Sequence, residues 1–293
     1  MDTASRASAP SALDQASAKV GTLIYRQSVW TRLTHWVWAV SLFFLLLTGL
    51  QIFNAHPALY IGDQSGFGFD NEVLAMGGEN TPEGPVGYTR IFGTRFDTTG
   101  LFGVSGGPDR PVGRGFPAWA TIPSWQDLAT GRVVHFFFAW ILSGTLLVWL
   151  AASLVNGHIR RDLAPRVDDL RQLPRDIVDH AKLKFHRRRE YNTPQKFAYG
   201  GVLFVLFPLM ILTGLAMSPS MNAAIPFLAD MLGGRQTART IHFATMLLLV
   251  GFFIIHMLMI LAAGPINELR SIITGWYRTD APARRETAAG RRT

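Results

Sequence analysis

Hydrophobic and polar positions divide this chain into four long apolar windows, each bounded by charged or glycine-rich sequence. The windows run from Leu33 to Phe53, Val133 to Val155, Phe197 to Met217 and Thr240 to Ala263, and none contains Asp, Glu, Lys or Arg. Each is about the 20 residues that a helix needs to cross a hydrocarbon core. A soluble enzyme can bury one such helix; four in succession with charged flanks predict membrane insertion. The expected fold class is therefore an all-α membrane protein, a bundle of four transmembrane helices.

Between the windows the chain is uneven. The segment 54–131 is long and rich in Gly, Pro and aromatics (GDQSGFGFD, GYTRIFGTRFDTTGLFGVSGG, RGFPAWATIPSW). Its turn signals and mixed charges predict short strands and ordered loops, hence a folded cap between the first and second spans. A disordered linker is the blander alternative, but linkers seldom hold so many Phe, Trp and Tyr residues. After the third span, SPSMNAAIPFLADMLGGRQ contains a short apolar stretch expected to lie in the interface plane. Trp30, Trp36, Trp38, Trp125, Trp149 and Trp276 fall near predicted span ends, where indoles anchor helices at the headgroups. A charged amphipathic helix is expected around Val167 to Arg189, and no internal repeat is apparent.

Composition sharpens this picture in two ways. Of 293 residues, 48% are hydrophobic, and the formal charge is +8. That charge is concentrated: eleven Lys or Arg residues lie between Gly157 and Lys196, and six more follow Gly264. These segments share one side of a four-span protein with the N-terminus and its Arg6, Lys19, Arg26 and Arg32. The positive-inside rule then puts all three in the cytoplasm, so the insertion 54–131 becomes periplasmic and the basic balance records topology, not a nucleic-acid ligand. Residues 1–24, rich in Ala and Ser, lack an apolar run, read as neither signal peptide nor presequence, and are expected to be a disordered tail. Residues 25–277 form the expected four-helix domain, with a basic cytoplasmic loop at 157–194 and a cytoplasmic tail at 278–293. There is no cysteine. Disulfides, thioether-linked haem and cysteine-held iron–sulfur clusters are thereby excluded within the chain.

Ionisable side chains inside a membrane are costly, so His35, His135, His242 and His256 need an explanation. On the fourth span His242 and His256 are 14 residues apart, about 40° short of four full turns at 100° per residue, which puts both on one face roughly 21 Å apart along the axis. Depth selects partners. His135 and His242 fall near the outer ends of their helices, whereas His35 and His256 fall near the inner side. Two stacked pairs of facing imidazoles result, His135 with His242 and His35 with His256, the arrangement that holds haem iron axially in a helix bundle. A bare metal site would instead need three or four ligands at one depth. Hydrogen bonding within the bundle, or proton relay, is the alternative for any single histidine. His56, His158, His180 and His186 lie outside the spans and read as loop residues.

Arg32, Arg132 and Arg239 each stand three residues before one of these histidines, on the same helix face. Guanidinium groups there could neutralise haem propionates; snorkelling flanking arginines are the plainer reading.

At these residues the sequence resembles the dihaem cytochrome b subunits of formate dehydrogenases and nickel–iron hydrogenases, most closely the thiosulfate reductase cytochrome b branch. The resemblance spans about residues 25 to 277 and rests on YRQSVWTRLTHW, GFPAWATIPSWQDLATGRVVHFFFAW, YNTPQKFAYGGVLFVLFPLMILTGLAMSP and the histidine spacing of the last span. It implies two b-type haems on the four histidines, and a quinone pocket bordered by Asn192 to Lys196. By chemistry alone Asn192 and Gln195 are amides before a helix, Asn192 an N-cap candidate. The resemblance further implies an electron-transfer subunit of the bacterial inner membrane, working between the quinone pool and a periplasmic oxidoreductase of the molybdopterin type. The insertion is much longer than in formate dehydrogenase subunits, so the partner does not carry over from them. A self-sufficient cytochrome b oxidising superoxide or another small reductant, and a cofactor-free anchor or transporter, are the rival readings.

Overall fold

The computed structural model describes residues 21–66, 69–107, 109–157 and 193–279, with scattered positions between 159 and 178. Residues 1–20 of the N-terminal tail, His158, His180, His186, Asn192, most of the amphipathic helix expected at Val167 to Arg189, and residues 280–293 of the C-terminal tail lie outside the described residues, whereas Leu23, Ile24 and Arg278, at the inner ends of the two expected tails, are paired in strands.

Four helices are long and apolar enough to cross a membrane: α1 (Val29–Phe53), α2 (Leu128–Val155), α3 (Thr193–Met217) and α6 (Arg235–Ala263). With no water available, a spanning segment must satisfy its backbone internally, and these runs of Leu, Phe, Val and Ile do so as continuous helices. Much of their apolar surface faces outward, Val133, Trp140, Leu147 and Val148 on α2 and Leu247, Leu248, Ile254 and Ile255 on α6 among it. Leu146, Val202 and Phe207 form an apolar cluster between the spans, but the most completely enclosed side chains are polar. Ser41, Thr48, Gln51, Thr213 and Thr245 are the largest side chains almost wholly enclosed. Within α3 the turn Val202–Leu206 widens to a π-helix just before Pro208, whose missing N–H and bulky ring disfavour the regular ladder there. Two short helices, α4 (Pro219–Ala224) and α5 (Phe227–Met231), occupy the connection before α6 where an apolar stretch was expected.

The protein is mostly helical, but the insertion after α1 is not. It carries the antiparallel sheet β2 (Ala58–Tyr60), β3 (Glu72–Thr81), β4 (Gly84–Ile91) and β5 (Thr94–Asp97), in that order. A hairpin of β6 (Gly103–Ser105) and β7 (Val112–Arg114) follows. The β4–β5 turn at Phe92 and Gly93 has positive φ at both residues, as a tight two-residue hairpin requires. Gly103, at φ 78°, lies so close to Gly77 that a Cβ would meet its carbonyl oxygen at 2.1 Å. Arg90 and Glu72 join β4 to β3 through a two-bonded ion pair of 2.7 and 2.9 Å. The all-α expectation therefore holds for the spans, while the insertion buries its alternating residues as strands.

The chain divides into two compact units: Met1–Arg32, Asp162–Phe197 and His256–Thr293 in one, Leu33–Arg161 and Ala198–Ile255 in the other. In the first, β1 (Leu23–Tyr25) pairs antiparallel with β8 (Trp276–Arg278). This ties the segment before α1 to the segment after α7 (Pro265–Thr274). Gly275, left-handed at φ 89°, ends α7, and its carbonyl accepts from the backbone of Arg26 and Gln27.

In the second unit the insertion is bolted to the spans. Asn54, just past α1, exchanges two hydrogen bonds with the backbone of Phe116, while the start of α6 is held by Gly62, which bonds Thr237 and Gln236. Trp38 and Trp149 differ from the headgroup anchors expected of them. The Trp38 indole donates to Thr145 at 3.0 Å and meets Trp149 and Phe207 edge-on, because a partnered N–H lets the ring pack between helices.

Candidate functional site

Asp127 starts α2 by accepting from the Thr130 backbone N–H, so the helix begins before the apolar window does. Asp127 is an N-cap, and its carboxyl is held below the usual carboxylate range by the Thr130 hydrogen bonds. His135 stands seven residues after the first residue of α2, and His242 seven after the first residue of α6. Both lie about two turns inside their helices, deeper than the first-turn positions the windows implied.

The two rings face each other with centres 6.5 Å apart and planes inclined by 56°. Two metal–imidazole bonds of about 2.0 Å, each continued by about 1.1 Å to the ring centre, would separate the centres by roughly 6.2 Å. The spacing thus fits two axial ligands of one iron. Among the described residues no group of three or more His, Cys, Asp or Glu side chains gathers, so the donor set suits a macrocycle that brings its own equatorial nitrogens better than a bare ion.

Each histidine is held by a threonine of a neighbouring span. Thr48 Oγ1 lies 3.0 Å from His135 Nδ1, and Thr213 Oγ1 lies 2.9 Å from His242 Nδ1. Both threonines are fully buried. The next residue is glycine each time, and the space is used: a Cβ on Gly49 would stand 3.4 Å from His135 Cε1, and one on Gly214 3.5 Å from His242 Cε1. The sequence signal is Leu47-Thr48-Gly49-Leu50 in α1 against Leu212-Thr213-Gly214-Leu215 in α3, matched by Arg132-Val-Val-His135-Phe and Arg239-Thr-Ile-His242-Phe. This corrects the reading that no internal repeat exists. The repeat is only a few residues long and split by insertions of unequal length, so no fixed period reveals it.

Around the pair, Phe44 stacks on Phe138 at 4.4 Å, and Phe53 lies tilted against Phe243 at 4.9 Å. Gln51, one turn beyond Thr48, is buried and donates to the Trp125 carbonyl. It also accepts from Arg114, a buried cation of the insertion that sequence reasoning did not single out.

The three arginines differ. Arg239 is half-buried; it donates to the His56 carbonyl and lies over the Phe53 ring. His56, expected as a plain loop residue, is thus part of this anchor, and its ring stacks on Tyr60. Arg132 is exposed and rests against Phe136. Arg32 donates to the Ile273 carbonyl at 2.7 Å, in the last turn of α7, where a cation suits the helix dipole.

His35 and His256 belong to different units. His35 is partly buried on α1, edge-on to Trp36 at 5.5 Å. His256 lies on the continuous helix α6, 14 residues beyond His242, a rise of about 21 Å. Gln195 and Lys196 sit in the first turn of α3, with Lys196 buried.

A family model described as prokaryotic cytochrome b561 matches residues 165–275. The matched stretch holds His242 and His256 but neither His35 nor His135. Among curated proteins, the chain is 24% identical over 235 residues to the putative protein-methionine-sulfoxide reductase subunit YedZ1 of Azospira oryzae, covering 79% of this chain and 87% of that protein. The chain is thus similar to prokaryotic membrane cytochromes of the b561 type across its second half, and to one reductase subunit across most of its length.

Proposed function

We propose that this chain is a membrane-anchored cytochrome b subunit that carries electrons between a periplasmic oxidoreductase and the membrane quinone pool. Two b-type haems are assigned, one to His135 and His242, the other to His35 and His256. The observation that supports this most is the facing pair His135 and His242, 6.5 Å apart between ring centres. A haem held there supplies a one-electron couple in an apolar setting. The chain's own residues do the rest: Thr48 and Thr213 orient the ligand rings, Phe44, Phe53, Phe138 and Phe243 help keep water away, and the spans set the depth.

Arg132 and Arg239 are the propionate partners proposed for the outer haem, and Arg32 for the inner one. Asn192 and Gln195 are assigned to the quinone site, on the resemblance alone. The positive-inside rule supports cytoplasmic termini in a bacterial inner membrane, which turns the insertion towards the periplasm as the docking surface. The relative named as a reductase subunit supports a partner enzyme of this kind. A molybdopterin oxidoreductase is the partner we favour, and the thiosulfate reductase cytochrome b branch the finer placement.

The deciding experiment is a reduced-minus-oxidised spectrum of the purified full chain with haem quantification. About two b haems per chain is the expected result, and a colourless protein overturns the reading. His135→Ala should leave one haem; retention of both would refute the pairing.

A further inference from the structure

We propose that Thr48 and Thr213 are a matched pair of positioning residues that fix the tautomer of His135 and His242 and thereby set the electron affinity of the iron between them. The proposal rests on the haem reading above, but its geometry is independent of it. A threonine hydroxyl has a single proton. Thr48 commits its proton to the Phe44 carbonyl at 2.6 Å, and Thr213 commits its own to the Leu209 carbonyl at 2.7 Å, each four residues back in the same helix. What remains on each oxygen is a lone pair. His135 Nδ1 at 3.0 Å and His242 Nδ1 at 2.9 Å must then donate, so each ring carries its proton on Nδ1 and its free lone pair on Nε2.

A second contact repeats in the same register. The same hydroxyls also reach a second carbonyl of their own helix, Thr48 that of Leu45 at 3.4 Å and Thr213 that of Met210 at 3.1 Å, each three residues before its threonine. Carbonyls only accept, so the single hydroxyl proton stays with the helix backbone and the ring nitrogen is left to donate. Thr48 and Thr213 are both at 0% exposure, so no water competes for either bond. An acceptor on the far nitrogen makes an imidazole a stronger donor to iron, and a stronger donor favours the oxidised state. Because both ligands carry the same support, both threonines act on one haem and push it in one direction.

Redox titration of the full-length holoprotein tests this. Thr48→Val and Thr213→Val each should retain two haems and raise the midpoint of the same single haem, leaving the other unmoved. About a tenfold change in the reduced-to-oxidised ratio at fixed potential is expected, which is 59 mV for a one-electron couple. Thr48→Ser and Thr213→Ser, which keep the hydroxyl, should restore the original midpoint. Unchanged midpoints in both valine variants, or effects on different haems, would overturn the proposal. A second measurement covers variants that lose haem and a protein that binds none: the ¹⁵N shifts of the histidine rings in the haem-free full chain. Nδ1–H is expected for His135 and His242 in the wild type, giving way to the other tautomer in the valine variants. Nε2–H in the wild type would sink the inference whatever becomes of the haem assignment.

Discussion

Arg114, at the end of β7, donates through Nη2 to the side-chain oxygen of Gln51 at 2.9 Å, and both residues are buried. Its guanidinium also reaches the Thr121 hydroxyl at 2.9 Å and the Ser124 carbonyl at 2.7 Å. A single residue of the insertion thus gathers the end of α1 and the approach to α2, one turn from the threonine that supports His135. The cation is offset by neutral acceptors alone among the bonds it makes, so its worth lies in geometry.

Replacing it should show this. Arg114→Met leaves the acceptors without their donor, and a loss of about 2–4 kcal/mol is expected for buried bonds to a charged group. The thermal midpoint of the detergent-solubilised protein should fall, and protease cleavage within the insertion should rise. Arg114→Lys should not rescue it, because an ammonium cannot span three acceptors as a planar fork does. An unchanged melting curve for Arg114→Met would show that the fork contributes nothing.

Positions 49 and 214 should tolerate alanine but not a larger side chain. An added Cβ at either would sit 3.4 to 3.5 Å from the Cε1 of its histidine, in ordinary van der Waals contact. Alanine should therefore be accepted with a small adjustment. Leucine would drive the imidazole off its axis, at an overpacking cost of roughly 1–3 kcal/mol. Gly49→Leu and Gly214→Leu are each expected to lose the haem assigned to His135 and His242 and keep the other, read as haem content per chain. Full haem content in both leucine variants would show that the rings do not need this space.

The contact between the insertion and α6 should weaken in acid. Partial desolvation, and secondarily the charge of Arg239, hold the His56 imidazole below its ordinary value of 6.5. The unfolded chain therefore binds the proton more readily than the folded one below that pH. By linkage the contribution of neutral His56 is fully present above about pH 6.5 and is lost as the pH falls towards the lowered folded value. The effect is small, since the ring is exposed and solvent screens it. Hydrogen exchange at residues 56–63 should rise between neutral and mildly acidic pH, and His56→Gln should flatten the change. A pH-independent exchange rate in the wild type would remove His56 from the anchor.

The four spans were legible because lipid imposes one rule on every residue of a segment, and an uninterrupted apolar run satisfies it without help from the rest of the chain. The pairing of His135 with His242 was legible for a related reason: helix rise and span direction give depth directly from residue number. The supports were harder to see. Thr48 and Thr213 are ordinary helix residues by composition, and a four-residue match interrupted by unequal loops carries no period. Arg114 lies 63 positions from Gln51, in a segment whose turn signals announce strands but not their neighbours.

What the sequence determined alone, then, was which segments are long and apolar enough to cross a membrane and how the histidines are spaced along them, since both follow from local periodicity and rise. Only the tertiary structure decided which threonine meets which histidine, that a buried arginine of the insertion locks the end of α1, and that His56 carries Arg239. Those contacts depend on side-chain direction across separate helices and strands, which residue spacing does not encode.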